Sequence, residues 1–237
     1  MRFRFLFFFI LFTFSERHIS VFGSDNGEVA VLVGWVGERS DLWSSVFSEW
    51  KKDDVSACEW DYVECDEEGF VSGIDVRDVE LSLPFPAGFA SLQRLRSLVI
   101  SGCNLSGEVP DGIGKFGALQ VLDVSSNRLV GAIPAAIGRL RSLQELVLNS
   151  NQLTGRIPGE IGACVALRSL IVFDNYLSGE LPMELGNLAS LEVLRAGGNN
   201  DISGTIPSQI GNCPIKVPWR RNSWSRTLKG SLQQALT

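Results

Sequence analysis

Hydrophobic residues recur along the chain with a period of 24 residues. The leucines that open successive blocks are Leu98, Leu122, Leu146, Leu170 and Leu194. Within one block, Leu146 and Leu148 alternate with Glu145, Val147 and Asn149, which predicts a short strand with one face turned inward and one outward. A repeat of this length predicts a solenoid, because no single repeat can bury its apolar face without its neighbours.

Four further columns share this period and predict the path of each coil. An asparagine such as Asn151 turns the chain inward, and its amide forms hydrogen bonds with unpaired backbone groups. Gly155 permits an unusual backbone angle, and Pro158 starts the return side. The columns are Cys103, Asn127, Asn151, Asn175, Asn199; Gly107, Gly131, Gly155, Gly179, Gly204; Pro110, Pro134, Pro158, Pro182, Pro207; and Gly114, Gly138, Gly162, Gly186, Gly211. One inserted residue near Asn200 and Asp201 shifts the last block.

A different pattern precedes the repeats. Residues 28–38 carry apolar side chains at helical spacing, after Asp25 or Asn26 as a start signal, so they predict one amphipathic helix. Those apolar residues are Val29, Leu32, Val33 and Val36. We interpret residues 24–70 as a cap that covers the core edge of the first coil.

The first 23 residues predict export. Arg2 and Arg4 precede an apolar run over residues 5–14 and then a polar stretch, which is the order of a secretory signal peptide. The run is shorter than the roughly 20 residues needed to cross a bilayer, and no later stretch predicts a membrane span. We expect cleavage after Gly23 and delivery through the secretory pathway to the apoplast.

The charge balance argues against nucleic-acid partners. Of the 21 basic residues, three lie in the leader and five lie beyond Cys213, which leaves 13 basic against 26 of the 27 acidic residues over residues 24–213. A surface this acidic repels phosphate backbones, although acids also serve solubility alone.

The inventory of side chains favours a binding protein over an enzyme. The one histidine, His18, falls in the leader, so no catalytic triad or metal site assembles, and no phosphate loop or cofactor motif is present. Five cysteines leave at least one unpaired. We interpret Cys103 as a buried thiol. Cys164 and Cys213 are two coils apart, about 10 Å, which is too far for a disulfide. Asn104 begins an N-glycosylation triplet.

Outward strand positions are the candidate contact surface. Arg195 is followed by an inward Ala196 and then by Gly197 and Gly198, so a guanidinium stands beside backbone without side chains. This arrangement suits an anionic group, while the alternative is an ion pair with a carboxylate such as Asp174. Phe173 offers an aromatic ring to an apolar side chain.

The residue sequence of the repeats resembles a known family. Residues 153–158, Leu-x-Gly-x-Ile-Pro, are similar to the plant-specific leucine-rich repeat. The resemblance covers residues 71–213, about six repeats, and implies an α/β repeat solenoid with a right-handed superhelix and an additional short sheet. The cap motif of plant receptors, in which two cysteines flank a buried tryptophan, resembles the arrangement of Cys58, Trp60 and Cys65. This resemblance implies a Cys58–Cys65 disulfide.

Four stretches resemble the plant receptor kinases for root meristem growth factor peptides. They are residues 83–86, 143–155, 172–179 and 194–199. Those receptors use an Arg-x-Gly-Gly motif to recognise the sulfated tyrosine of a secreted peptide, and Arg195, Gly197 and Gly198 match it. The resemblance implies a peptide ligand, a possible co-receptor and, for a full-length relative, the plasma membrane.

The pattern breaks after Cys213. Residues 214–237 hold five basic residues and no acidic ones, fit no column, and are expected to be disordered. We interpret the chain as a truncated receptor ectodomain. The alternative is a short secreted leucine-rich-repeat interaction module, either co-receptor-like or an inhibitor of cell-wall enzymes.

Overall fold

The computed structural model describes residues 26–199 and 201–215. Within them, two helices are followed by twelve strands. The helices are α1 (Asn26–Val36) and α2 (Ser40–Ser44). The strands are β1 (Val63–Cys65), β2 (Val71–Arg77), β3 (Ser97–Ser101), β4 (Ser106–Glu108), β5 (Val121–Asp123), β6 (Arg128–Ala132), β7 (Glu145–Val147), β8 (Gln152–Gly155), β9 (Ser169–Ile171), β10 (Tyr176–Glu180), β11 (Val193–Arg195) and β12 (Asp201–Ser203).

The strands form two sheets along the solenoid. The larger sheet has the order β1-β2-β3-β5-β7-β9-β11, and it is parallel except for the β1–β2 pair. Its register pairs Leu122 with Leu146 and Leu146 with Leu170, so neighbouring strands are offset by one period of 24 residues. The second sheet joins β4, β6, β8, β10 and β12, which confirms the predicted additional sheet.

The return side of each coil is a short 3₁₀ turn. A proline of the predicted column precedes each of the last five turns, where its fixed φ suits the first helical turn and its missing N–H costs no hydrogen bond. The turns are Ala87–Ser91, Asp111–Lys115, Ala135–Arg139, Gly159–Ala163, Met183–Asn187 and Ser208–Asn212.

The asparagine column forms the predicted ladder through the core. Asn151 Oδ1 accepts a hydrogen bond from the Leu129 N–H at 3.0 Å, and its Nδ2 donates to the carbonyls of Val124 and Leu148 at 2.9 and 3.1 Å. Asn127, Asn175 and Asn199 repeat this arrangement in their own coils. Each amide therefore ties its own coil to the preceding one.

The cap helix is shorter at its carboxyl end than the sequence predicts. Helix α1 ends at Val36 and not at residue 38, because Gly37 adopts φ 63° and its N–H bonds the Val33 carbonyl at 3.0 Å. A left-handed glycine at this position is a common helix stop. Val29, Leu32 and Val36 are buried, as the helical spacing predicts.

Aromatic side chains fix the cap to the first repeat. The Cys58–Cys65 disulfide is present, with Cα atoms 5.5 Å apart, and Trp60 between the two cysteines is buried. Trp60 stacks on Trp50 with ring centroids 5.1 Å apart. The indole of Trp35 donates to the Pro84 carbonyl at 2.9 Å, so the cap and the first coil share one hydrophobic core.

Two predicted segments fall outside the described residues. The predicted signal peptide, residues 1–23, is one of them. The predicted tail over residues 214–237 is the other, apart from Pro214 and Ile215.

Candidate functional site: the concave face

The outward side chains of β2, β3, β5, β7, β9 and β11, with the two residues after each strand, form the surface that we call the concave face. Inward positions such as Leu146, Leu170 and Leu194 are buried, which leaves the alternate positions for contact with a ligand. Two columns run across this face. They are Asp75, Val99, Asp123, Val147, Ile171, Arg195 and Arg77, Ser101, Ser125, Asn149, Phe173, Gly197.

The chemical character of the concave face changes from one end to the other. At the cap end, Arg77 pairs with Asp75 at 2.7 Å, so both charges are already matched. The central positions Val147, Ile171 and Phe173 are apolar and partly buried. At the far end stands Arg195, which is exposed.

Arg195 is unmatched among the residues that the structure describes. Its guanidinium makes no hydrogen bond or ion pair there, whereas the ion pairs that are present lie in the cap and the first repeat. The ion pair with Asp174, which the sequence left open as an alternative, is not formed. The strand backbone holds the base of Arg195 in place, because its carbonyl accepts a hydrogen bond from the Val172 N–H at 2.8 Å.

Asp174 lies against the two glycines and not against Arg195. Its N–H donates to the Gly197 carbonyl at 3.0 Å. A Cβ built on Gly198 would overlap the Asp174 Oδ1, so the carboxylate occupies the space that a side chain at Gly198 would need. Gly197 is buried, while Gly198 and Asp174 are exposed.

Gly198 also has a conformational requirement that sequence reasoning missed. It adopts φ 71°, and the equivalent residue of every described coil is left-handed too. These residues are Asp78, Gly102, Ser126, Ser150, Asp174 and Gly198. The signal was available, since a column restricted to Asp, Ser and Gly just before the asparagine is typical of a left-handed turn. The same Asp–Gly contact occurs between Asp78 and Gly102.

Comparison with known proteins decides the family. The family described as "Leucine-rich repeat region" matches residues 87–213, which is more than half of the chain. The chain belongs to the leucine-rich repeat proteins.

Among leucine-rich repeat proteins, plant receptor kinases are similar in sequence. The LRR receptor-like serine/threonine-protein kinase RGI2 of Arabidopsis thaliana is 46% identical over 93 residues, which cover 38% of this chain and 8% of that protein. The chain therefore spans less than a tenth of the length of the curated relatives that it matches first.

Solved leucine-rich repeat structures share the fold. The plant peptide hormone receptor RGFR1 in complex with RGF2 aligns with a TM-score of 0.57 and 43% identity, over 66% of this chain and 24% of that chain. A plant ice-binding protein aligns with a TM-score of 0.71 and 28% identity, over 80% and 61%. Because one fold carries such different functions, function has to be argued from the side chains of the site.

Asn104, the predicted glycosylation residue, lies in a turn of the first leucine-rich repeats with φ 58° and is partly exposed. Its Nδ2, which would carry a glycan, donates to Glu80 and, at 2.7 Å, to the Ser82 hydroxyl. Hydrogen bonds from Ser82 and Asn104 lower the pKa of the Glu80 carboxyl. Glycosylation at this residue stays a prediction.

The remaining cysteines of the repeats are unpaired among the described residues. Cys103 and Cys164 are buried, and Cys213 is partly exposed. Burial raises the pKa of the Cys164 thiol to about 11, and its Sγ lies 3.2 Å from the Ile137 carbonyl. A buried thiol with so high a pKa is a core residue and a poor nucleophile.

Residues 26–199 and 201–215 contain no group of three or more His, Cys, Asp or Glu side chains arranged to hold a metal ion. In the same part of the leucine-rich repeat chain, no helix has the length and hydrophobicity that a membrane crossing requires.

Proposed function

We propose that the chain is a ligand-binding ectodomain segment of a plant leucine-rich-repeat receptor-like kinase, and that its concave face recognises a secreted, tyrosine-sulfated peptide. The observation that carries this proposal is the exposed Arg195, which has no partner among the described residues and lies two residues before Gly197. An exposed guanidinium without an internal partner is suited to an external anion.

The surroundings of Arg195 fit an anionic aromatic group. A planar guanidinium can donate two parallel hydrogen bonds to a sulfate ester. On the neighbouring coil, Ile171 and Phe173 present partly buried apolar surface, against which the ring of a tyrosine can pack. Gly197 and Gly198, which follow in the chain, add no side chain that would obstruct this site.

The relatives support the same ligand class. RGI2 is a receptor-like kinase by name, and RGFR1 is a peptide hormone receptor solved in complex with RGF2. The 43% identity to RGFR1 extends over 66% of this chain. In our proposal, this chain contributes the part of such an ectodomain that holds the sulfated tyrosine.

A binding experiment with the secreted chain tests the proposal. Calorimetry should detect a peptide that contains sulfotyrosine, and removing the sulfate or substituting Arg195→Ala should each weaken binding roughly 10- to 100-fold, the usual range for hydrogen bonds to charged groups. Arg195→Lys should recover only part of the affinity, because the ammonium lacks the planar fork.

Arg139→Ala is the matched control. It removes another exposed arginine, but from the return side, and should leave the affinity unchanged. Equal binding of the sulfated and unsulfated peptides by the unsubstituted chain would contradict the proposal. Binding of an extracellular protein without any response to sulfate would favour the short interaction module.

The proposal includes export of the chain and glycosylation at Asn104. Amino-terminal sequencing of the secreted protein should begin at Ser24, after removal of residues 1–23. Retention of the leader on a secreted product would contradict this boundary.

A further inference from the structure

The charge around Arg195 comes from few groups. Asp174 is the nearest carboxylate that the contacts identify, because it touches Gly198 and bonds Gly197. In the two columns of the concave face, the residues of the two preceding coils are Val147, Asn149, Ile171 and Phe173, and none of them carries a charge. Arg168 and Glu192 lie directly before β9 and β11, and the charged strand residues further toward the cap are Glu145 and Asp123, on β7 and β5.

An anion bound by Arg195 would also lie close to Asp174. A strand rises about 3.3 Å per residue, so Gly197 is roughly 6.6 Å from Arg195 along the chain. A Cβ on Gly198 would overlap the Asp174 Oδ1, so an anion that contacts the backbone of Gly198 lies against the Asp174 carboxylate, inside the Debye length of about 8 Å at physiological ionic strength. Salt does not screen this repulsion completely.

We infer that Asp174 is a specificity-determining residue of the Arg195 site. Its carboxylate lowers the affinity for a doubly charged phosphate ester more than the affinity for a singly charged sulfate ester, so the extra charge of the phosphate ester does not make it bind more tightly. This inference rests on the proposed function of the same site. Arg195 alone attracts a dianion more strongly than a monoanion, and the nearby carboxylate offsets that preference because its repulsion also scales with the charge of the ligand.

The protonation of the ligand gives this mechanism a pH signature. A phosphotyrosine carries about −1.5 to −2 charges at pH 7, because its second pKa is about 6, whereas a sulfate ester keeps one negative charge. Near pH 5 both ligands are monoanions, so Asp174 should repel them equally. The discrimination by Asp174 therefore grows as the pH rises from 5 to 7.5.

The test compares two peptides of the same sequence, one with sulfotyrosine and one with phosphotyrosine, on the secreted chain and on Asp174→Asn. Asparagine tolerates the left-handed φ of 52° that this position requires, so the fold should be retained. At pH 7.5 the substitution should raise the affinity for the phosphopeptide roughly three- to tenfold more than the affinity for the sulfopeptide. At pH 5 the two affinities should change by the same factor.

Asp78→Asn is the matched control for this experiment. Asp78 has φ 54° and the same contact with a glycine, Gly102, four repeats away, so its substitution should leave the ratio of the two affinities unchanged. Equal effects of Asp174→Asn on both peptides at pH 7.5, or an equal shift in Asp78→Asn, would overturn the inference while leaving sulfopeptide binding intact. Absence of sulfopeptide binding to the unsubstituted chain would instead overturn the proposed function.

Discussion

At Asn151 a single amide satisfies backbone groups of two successive coils. The side chain is buried, and it bonds the Leu129 N–H and the Val124 carbonyl of the preceding coil and the Leu148 carbonyl of its own coil. No apolar side chain of similar size can make these bonds. The requirement is chemical, and it explains why asparagine recurs at this position while the leucines around it vary with isoleucine and valine.

Replacing Asn151 with alanine should destabilise the chain by about 3 kcal/mol or more, because an unpaired buried backbone group costs about 1–3 kcal/mol and several are left. Urea unfolding followed by tryptophan fluorescence measures this change. Asn187→Ala is the control, since Asn187 is exposed on a return-side turn and should change the stability by less than about 0.5 kcal/mol. Similar values for both variants would disprove the role of the ladder.

Glu28 is a second residue whose surroundings determine its chemistry. Its Oε2 accepts a hydrogen bond from the Val71 N–H at 3.0 Å, at the start of the first parallel strand. Burial raises the pKa of its carboxyl, and the nearby Asp66 raises it further, while the bond to Val71 and the charge of Arg94 oppose the shift. The folded chain therefore binds a proton at Glu28 more readily than the unfolded chain does.

The consequence is a pH dependence that Glu28→Gln should remove. The stabilising contribution of the protonated form is complete below the unfolded pKa of 4.5 and is lost as the pH rises through the raised folded pKa. Glutamine stays neutral and keeps an acceptor for Val71, so the variant should be the more stable at pH 7, and this advantage should vanish below pH 4.5. Thermal unfolding between pH 4 and 7.5 tests this, with the exposed Glu49→Gln as control. Lower stability of Glu28→Gln at pH 7 would show that the ionised hydrogen bond outweighs burial.

The periodic columns made the buried residues predictable from the sequence. They did not make the orientation of unpaired polar side chains predictable. Asn151 and Leu146 could be placed because each recurs at fixed spacing. The position of Asp174 depends on its left-handed backbone, which turns its carboxylate toward Gly198 and away from Arg195. Spacing along the chain carries no information about that choice.

On the scale of secondary-structure elements, glycine sets how closely the return-side turns stack. Gly138 and Gly162 have ordinary φ values, so their backbone angles do not explain the column. A Cβ at Gly138 would overlap the carbonyl of Glu160, and a Cβ at Gly162 would overlap that of Glu184. Successive turns are in backbone contact at these two positions.

Gly138→Ala should therefore destabilise the chain by about 1–3 kcal/mol, the usual cost of overpacking a rigid contact. Gly112→Ala is a close control, because Gly112 also lies in a return-side turn and a Cβ there meets no atom within 4 Å. Its stability should change by less than about 0.5 kcal/mol. Chemical denaturation of the two variants gives the comparison, and equal stabilities would argue against the backbone contact.

The cap shows where an element can be predicted and its end cannot. Helical spacing identified the buried face of α1, whereas the stop at Val36 depends on the left-handed Gly37. The Cys58–Cys65 bridge followed from the resemblance of the cap motif, and the structure contains it. The aromatic packing of Trp35, Trp50 and Trp60 depends on residues far apart in sequence.

On the scale of the molecule, one hydrophobic core runs from Val29 in the cap to Ile210 in the last described turn. Each coil contributes to it through contacts with its two neighbours, as in other solenoids. Long-range order thus comes from repetition of a local contact.

Deleting residues 121–144, one complete period, should leave a folded chain. The new junction joins Gln120 to Glu145 and reproduces the natural Gln144–Glu145 step, so the asparagine ladder and both sheets can close in register. Circular dichroism and urea unfolding should show a cooperative transition at reduced stability. Deleting residues 121–132, half a period, is the control and should abolish the transition, because inward and return-side positions would then be superimposed. Equal folding of both deletions would contradict the nearest-neighbour description.

The alternation of side chains across β7, β9 and β11 has a consequence for evolution. Leu146, Leu170 and Leu194 hold the coils together, while Val147, Ile171 and Arg195 beside them make little contribution to the core. Selection can therefore change the outward residue of a strand without first compensating for a loss of stability. A gene of this kind can acquire a new ligand by single substitutions that leave the protein folded at every intermediate step.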